Sequence, residues 1–241
     1  MPIPSARQLL DVWEAGRGLD HTDRALLMLR CAGEPDGAGL SIGRRDGLLL
    51  DLRERLFGAR IDAVESCPAC AARLEVVFDI ADVCVADPGM AAGWLDLAID
   101  DYRITARPLT SDDLLATRGS GDVAAVRARL LERSLVEATE GGQARPASSL
   151  PQAVLEGVAA AIGEADPQAE VELELSCAEC GHQWRRHFDI VEYLWSEIEQ
   201  HGRQMLRDVH LLARAYGWDE DAVLRLSPWR RGCYLEMIAD G

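Results

Sequence analysis

The sequence lacks several features that would each have assigned the protein to a class. No apolar run in its 241 residues approaches the length of a membrane-spanning helix. The first residues, Met1 to Arg7, lack the charged region and the apolar core of a signal peptide. We therefore expect a cytoplasmic protein with no membrane partner, in a compartment where thiols remain reduced.

Motifs of common enzyme families are also missing. The chain has no phosphate-binding loop, no GxGxxG and no HExxH pattern. Carboxylates are abundant, but none stands at a spacing that a known catalytic mechanism requires. His201 and His210 are nine positions apart, so on a helix they do not share a face. We expect a protein that is not an enzyme.

Lysine is absent, and the basic charge is unevenly opposed. All 25 basic residues are arginine, against 41 acidic residues, which gives a net charge of -16. Residues 1–60 and 201–241 are each balanced, whereas residues 61–200 carry ten arginines against twenty-six acidic residues. A field this negative repels phosphate, so we expect no nucleic-acid partner. We interpret the acidic surplus as a solvated surface.

What the sequence does contain is one motif written twice. Cys67-x-x-Cys70 and Cys177-x-x-Cys180 lie 110 positions apart, and each follows a serine. Phe-Asp-Ile begins eight residues after the last cysteine of each copy, so the match is an internal repeat. Alternating apolar residues predict a strand on either side of each cysteine pair, over residues 61–65, 74–78, 171–175 and 182–188.

Two such pairs on hairpins indicate one shared metal site. Each turn directs two sulfurs at one point, and two turns supply the four thiolates of a tetrahedral zinc site. The predicted cofactor is Zn²⁺, and the predicted ligands are Cys67, Cys70, Cys177 and Cys180. Compact zinc ribbons separate their pairs by about 15–20 residues. Here 106 residues intervene, which predicts a large insertion between two half-sites.

Other interpretations of the cysteines remain open. Each pair could be a redox dithiol, although neither lies between a strand and a helix of a βαβ unit. The pairs could form disulfides, or bind separate metals with His182 or His187 completing the second site. Cys31, Cys84 and Cys233 stand among apolar residues, and we expect them to be small core residues.

Helical spacing of apolar residues predicts the remaining elements. The predicted helices cover residues 5–15, 23–31, 44–57, 114 onward, 123–137, 154–162, 191–216, 220–226 and 229–238. Their predicted N-terminal caps include Thr22, Thr110, Ser149 and Ser227. A turn at Asp87-Pro88-Gly89 and a hairpin over residues 94–106 complete the pattern, and Gly202 weakens the middle of the longest helix.

These elements predict an α+β fold. Its centre is a split zinc ribbon of two Cys-x-x-Cys β-hairpin knuckles, flanked by helices, with a mixed α/β insertion between the knuckles. The predicted segments are an N-terminal helical segment (1–60), the ribbon core (61–80 and 169–190), an inserted α/β subdomain (81–168) and a C-terminal helical segment (191–241). We expect the two hairpins to lie side by side in one small sheet.

Aromatic residues are scarce, at 5% of the chain, yet several gather in the C-terminal segment. Aromatic residues and arginine anchor many protein interfaces. The predicted partner-binding residues are Trp218, Trp229, Arg225, Arg230 and Arg231. The alternative is that these aromatic residues form the core between the C-terminal helices.

Several segments together resemble a known family. They are Asp23-Arg24-Ala25-Leu26-Leu27, Glu54-Arg55-Leu56-Phe57-Gly58, Ala165 to Glu170, Cys177-x-x-Cys180-Gly181-His182-x-Trp184, Phe188-Asp189-Ile190-x-x-Tyr193-Leu194-Trp195 and the stretch from Val209 to Trp218. The chain resembles T-even-type phage baseplate or baseplate hub assembly proteins, which are associated with contractile tails and extracellular contractile injection systems. The resemblance spans nearly the whole chain, and residues 119–148 contribute little to it. Ala71 stands where a glycine often follows the first cysteine pair.

The resemblance implies a non-enzymatic structural or chaperone-like assembly protein of a contractile phage-tail-like baseplate. Its implied partners are baseplate or hub and spike proteins, and its implied location is the cytoplasm or the phage-tail-like particle. A nucleic-acid-binding or regulatory zinc-ribbon protein is an alternative, which the net charge and the lack of a basic cluster oppose. A thiol oxidoreductase that uses one Cys-x-x-Cys pair is another.

Overall fold

The computed structural model describes residues 1–85, 93–119 and 121–240, so the turn predicted at Asp87-Pro88-Gly89 lies outside the described residues. The fold mixes helices with small sheets. The helices are α1 (Ala6–Gly16), α2 (His21–Cys31), α3 (Ile42–Phe57), α4 (Ile80–Val83), α5 (Ser111–Ala116), α6 (Val123–Ser134), α7 (Gln152–Ala165), α8 (Ile190–Tyr216), α9 (Glu220–Leu224) and α10 (Pro228–Ala239). The strands are β1 (Arg60–Ser66), β2 (Arg73–Asp79), β3 (Leu95–Ile99), β4 (Tyr102–Ala106), β5 (Leu135–Glu140), β6 (Gln143–Ala144), β7 (Glu172–Ser176) and β8 (Gln183–His187).

The chain divides into two compact units. Unit 1 combines residues 1–34 with residues 191–241, and unit 2 is the continuous segment 35–190. The finer division into four segments stays a prediction. No helix in the described part of the chain combines the length and the apolar content needed to cross a membrane.

Unit 1 is helical, and two tryptophans seat against two glycines within it. A Cβ atom on Gly202 of α8 would lie 2.7 Å from the ring of Trp13 on α1. Reciprocally, Gly16 of α1 leaves room for the ring of Trp195 on α8. Gly202 therefore does more than weaken α8, because it admits a large ring where any side chain would collide. The Arg24 guanidinium stacks over the Trp195 ring at 4.6 Å.

The first turn of α2 departs from the sequence prediction. Asp20, not Thr22, is the N-terminal cap, and its side chain accepts a hydrogen bond from the Asp23 N–H. The helix consequently begins two residues earlier than predicted. An aspartate also suits the positive end of the helix dipole better than a threonine does.

Among its described residues, unit 2 contains three antiparallel sheets. Strands β1 and β2 form one hairpin, β7 and β8 form another, and β3-β4-β5-β6 form a four-stranded sheet. The prediction that the two cysteine hairpins share one sheet is therefore wrong. The two hairpins meet through side chains, which are described below. Side chains project from the faces of a hairpin, so pairing of the backbones at an edge would leave them uncovered.

The four-stranded sheet lies in the segment between the hairpins. The helix predicted over 123–137 ends at Ser134, and residues 135–140 instead form β5 against β4. Helix α7 covers one face of this sheet, and Gly157 allows a close approach to Ile99. The shared core is Ile104, Ala106, Ala138, Leu150, Val154, Val158 and Ile162. Ser149 does not cap α7, because its hydroxyl donates to the Pro146 carbonyl instead.

A carboxylate ties the start of α3 to the chain before β7. Asp166 is buried, and its oxygens accept hydrogen bonds from the Gly43 N–H at 2.9 Å and the Ser41 hydroxyl at 3.0 Å. A negative charge at a helix N-terminus satisfies free N–H groups and opposes the helix dipole favourably. Gly43 is required here, because a Cβ atom would lie 2.8 Å from the Ala169 nitrogen and collide with Asp166.

A second buried carboxylate organises the start of α5. Asp113 accepts two hydrogen bonds from the Arg107 guanidinium, at 2.6 and 2.9 Å, and one from Arg133 at 2.8 Å. It also closes the predicted capping box with Thr110. Burial opposes the charge, but the hydrogen bonds from Arg107 and Thr110 outweigh it and hold the pKa of Asp113 well below its ordinary value.

We predict that Asp113→Asn destabilises the protein by about 2 kcal/mol at pH 7, because two partly exposed arginines lose their buried, charged acceptor. A depressed folded-state pKa stabilises the fold above the unfolded-state pKa, about 3.9, and that contribution is lost as the pH falls below it. The difference between parent and variant in urea unfolding should therefore shrink progressively below about pH 4. The exposed neighbour provides a control, since Asp112→Asn should change stability little at either pH.

Candidate metal centre

The two Cys-x-x-Cys turns have the same backbone geometry. In the first, the Cys67 N–H donates to the Ala72 carbonyl and the Ala71 N–H donates to the Cys67 carbonyl, both at 2.9 Å. The second turn repeats both bonds at 2.9 Å, 110 residues later. Ala71 and Gly181 occupy equivalent positions with φ of 59° and 72°, in the left-handed region. The repeat seen in the sequence is therefore a repeat of conformation.

The four sulfurs of these turns converge on one point. Their Sγ atoms all lie within 4.8 Å of one another. Cys67 and Cys180 are 3.7 Å apart, and Cys70 and Cys177 are 3.6 Å apart. A disulfide would need about 2.05 Å, and all four cysteines are free thiols. The structure thus brings together the four cysteines that the sequence predicts as ligands.

The spacing of the sulfurs suits a tetrahedral metal ion. Four sulfurs placed about 2.3 Å from a common centre lie about 3.8 Å from one another. The observed separations of 3.6 and 3.7 Å are close to this value. Cys67 and Cys177 are buried, and Cys70 and Cys180 are exposed, so the cluster lies at the surface. These four residues could hold a metal ion.

The pKa values of the two cysteines in the first turn shift in opposite directions. Burial raises the pKa of the Cys67 thiol. Hydrogen bonds from the backbone N–H groups of Cys70 and Ala69 lower this pKa by a larger amount, so that it falls to about 7. The Ala72 N–H likewise lowers the pKa of Cys70, but hydrogen bonds shared with Cys180 and burial raise it to about 12. One sulfur is thus favoured as a thiolate while a neighbour keeps its proton, so a bound cation would have to displace protons.

Side chains join the two hairpins below the sulfurs. The rings of Phe78 and Phe188 meet edge to face, with centroids 5.3 Å apart. The Arg186 Nε donates to a Glu65 carboxylate oxygen at 3.2 Å. Phe78 and Phe188 occupy equivalent positions in the two repeats. Cys67 is equivalent to Cys177, and Cys70 to Cys180, so replacing each residue by its equivalent turns the Cys67–Cys180 contact into the Cys70–Cys177 contact. The two sulfur contacts are therefore equivalent under exchange of the repeats, whereas the Glu65–Arg186 contact has no counterpart.

The other cysteines and the histidines stay outside this cluster. His182 stacks on Trp184, with ring centroids 5.9 Å apart. Cys31 and Cys233 are half-buried, but Cys84 is exposed, so its prediction as a core residue is wrong. Cys84 follows the single turn of α4, and its neighbours Ile80 and Val83 take the buried positions instead.

Comparison with known protein families identifies the family of this chain. A family model described as T4 bacteriophage base plate protein matches residues 26–195, which is well over half of the sequence and includes both cysteine hairpins. The chain belongs to this baseplate family. No curated protein and no solved structure matches it significantly. As a phage baseplate structural protein, it associates with other baseplate components.

The predicted partner-binding residues of this baseplate protein lie in different surroundings. Trp229 is 77% exposed at the start of α10, and Arg225 and Arg230 are exposed as well. Trp218 is half-buried and stacks on Tyr216 with centroids 4.9 Å apart. Arg231 is buried in an ion pair with Asp208 at 3.2 Å, so it stabilises unit 1 and presents no charge to a partner.

The expectation that motifs of common enzyme families are missing is wrong for one short string. Residues 39–43 read Gly-Leu-Ser-Ile-Gly, the Gly-x-Ser-x-Gly spacing that surrounds the nucleophile of α/β-hydrolases. In such enzymes the serine follows a strand, whereas here a 3-10 turn precedes Ser41. The Ser41 hydroxyl donates to Asp166 and accepts from the Arg44 N–H, so it caps α3. The signal that would have identified this role is the N-cap pattern.

The matched turns yield a paired prediction. Ala71→Gly should stabilise the baseplate protein by about 1 kcal/mol, because a left-handed alanine costs about 1–2 kcal/mol and glycine loses part of that gain through its greater chain entropy. Gly181→Ala should destabilise it by about 1 kcal/mol for the same reason. Urea unfolding of both variants beside the parent measures the two differences.

A control distinguishes relief of strain from a general effect of glycine. Ala128→Gly on the exposed face of α6 should destabilise by about 1 kcal/mol, as glycine does within a helix. If Ala71→Gly destabilises the protein like Ala128→Gly, the left-handed conformation at Ala71 is not the one the protein adopts.

Proposed function

We propose that this baseplate protein is a non-enzymatic assembly or structural component of a contractile phage-tail-like baseplate, with one structural zinc ion held by Cys67, Cys70, Cys177 and Cys180. The family match over residues 26–195 is the observation that carries the baseplate role. The convergence of the four sulfurs supports the zinc site.

The donor set favours zinc with a structural role. Four thiolates suit zinc in tetrahedral geometry, and they leave no open coordination position at which a substrate could bind. Each cysteine pair lies in the turn of a hairpin and not at the start of a helix, where redox-active pairs are activated. We therefore describe this centre as a split zinc ribbon, with its two knuckles on separate hairpins.

Zinc at this site would close an unusually long loop. The two pairs are separated by 106 residues, and each two-stranded hairpin alone has marginal stability. In the chain-entropy model, a cross-link that closes about 100 residues contributes roughly 4–5 kcal/mol by restricting the unfolded chain. The metal would then stabilise unit 2 well beyond its own neighbourhood.

We predict one zinc ion per chain in protein purified without chelator, measured by elemental analysis. Cys177→Ser should abolish stoichiometric zinc binding and lower the free energy of unfolding by more than about 3 kcal/mol, because metal binding and folding are coupled here. Cys84→Ser is the matched control, since that cysteine is exposed and outside the cluster.

Several results would contradict the zinc site. Protein with no metal, or with two zinc ions per chain, would do so. So would a Cys177→Ser protein that keeps its zinc and its stability, or a Cys84→Ser protein that loses them.

The same role requires a surface for other baseplate components, and we propose that it includes Trp229, Arg225 and Arg230 in unit 1. An exposed tryptophan beside arginines has the composition of an interface hot spot. Trp218 contributes indirectly, because its ring contacts Tyr216 and Tyr234 and thus supports α10, which carries Trp229. Arg231 supports the same helix through Asp208.

We predict that Trp229→Ala weakens capture of a hub or spike protein at least tenfold when the baseplate genes are co-expressed, because a hot-spot residue contributes about 2 kcal/mol or more. Trp94→Ala is the control, since Trp94 is also exposed, at 57%, but lies in unit 2. Equal capture by the parent and Trp229→Ala, or loss of capture on Trp94→Ala alone, would assign the interface elsewhere.

A further inference from the structure

Two half-sites that lie far apart in sequence need contacts that fix their relative position. The Phe78–Phe188 and Glu65–Arg186 contacts lie between the hairpins themselves. A third contact lies beyond the hairpin strands, where the chain leaves the first hairpin and approaches the second. Gln168 forms this contact.

The Gln168 side chain bonds to the backbone on both sides of Cys84. Its Nε2 donates to the Val83 carbonyl at 3.2 Å, and its Oε1 accepts from the Val85 N–H at 2.6 Å. Val83 lies four residues after the end of β2, and Gln168 lies four residues before the start of β7. One half-buried amide therefore joins the end of the first hairpin to the approach of the second.

The internal repeat does not account for this contact. The residue 110 positions before Gln168 is Gly58, which ends α3 with φ of 93° and has no side chain to make such a contact. The repeat therefore includes the strands, the phenylalanine rings and the sulfurs, but not Gln168. The inserted segment follows the first hairpin and precedes the second, so it has no counterpart in the repeat. A contact that joins its two ends therefore also lies outside the repeat.

We propose that Gln168 is a positioning residue for the metal centre, and this inference rests on the proposed metal-binding role of the four cysteines. By holding residues 83–85 against residue 168, it keeps the two hairpins in the register that brings the four sulfurs together. It does not touch the sulfurs, so it acts through the hairpins.

The surroundings of Gln168 allow its side chain to be tested separately. Asp166 and Ala169 are held against the start of α3 independently of the Gln168 amide. Gln168→Ala should therefore leave residues 166–169 in place and remove only the contact with residues 83–85. Gln168→Glu is a second variant, which keeps an acceptor for the Val85 N–H but sets a carboxylate oxygen against the Val83 carbonyl.

The first test does not depend on metal. With chelator present, an alkylating reagent should modify the buried thiols of Cys67 and Cys177 about tenfold faster in Gln168→Ala and Gln168→Glu than in the parent, followed by peptide mass spectrometry. The rate at half-buried Cys233, which lies in unit 1 and outside the Gln168 contact, provides an internal reference. Gln152→Ala is the matched control, because it removes an exposed amide that bonds only to Glu156 within α7.

The second test uses zinc competition with a chromophoric chelator. Both Gln168 variants should bind zinc about tenfold more weakly than the parent and Gln152→Ala, in the range seen when residues outside the ligand shell are changed. The cobalt-substituted proteins should keep the absorption of four-thiolate coordination. Lower thermal stability with unchanged alkylation and unchanged zinc affinity would overturn the proposal and leave Gln168 a structural residue only.

The two tests separate this inference from the zinc site itself. If the parent binds no zinc, the proposed zinc site fails, and the alkylation rates still decide whether Gln168 positions the sulfurs. If the parent binds zinc and the alkylation rates of parent and variants agree, the zinc site stands and the role of Gln168 is wrong.

Discussion

Four sulfurs from two hairpins that lie far apart in sequence meet at one point in unit 2. A two-stranded hairpin in water has marginal stability, and this unit uses two of them. Their inward faces cover each other through Phe78 and Phe188, and their turns bring Cys67 beside Cys180 and Cys70 beside Cys177.

Buried carboxylates make the connections that the hairpins do not. Asp166 joins the start of α3 to the segment before β7, and Asp113 gathers Arg107, Arg133 and Thr110 around the start of α5. Both act at helix N-termini, where free N–H groups and the helix dipole favour an anion. Unit 1 uses both kinds of contact, since tryptophan rings pack on glycines between α1 and α8, and the buried Asp208 of α8 pairs with Arg231 of α10.

The sequence was most informative where the signal is local. The cysteine pairs, the alternating strands beside them, the 95–106 hairpin and the long helix ending at Tyr216 all follow from short-range patterns, and the structure confirms them. Residues 135–137 were predicted as the end of a helix because a helical pattern precedes them, and pairing with β4 places them in a strand that runs to Glu140. The roles of Asp166, Gly202 and Gln168 depend on partners more than 80 residues away, which spacing along the chain does not reveal.

The contact between Gln168 and residues 83–85 also has a topological consequence. It brings the two ends of the long intervening segment to one point, with the Val85 nitrogen 2.6 Å from the Gln168 side chain. Because the ends of this segment meet, its length does not set the distance between the two hairpins, and the segment forms a branch that projects from the hairpin pair. The length of the segment can therefore change without moving the sulfurs. Insertions and deletions among relatives should accumulate in this branch, while the two hairpins keep their length.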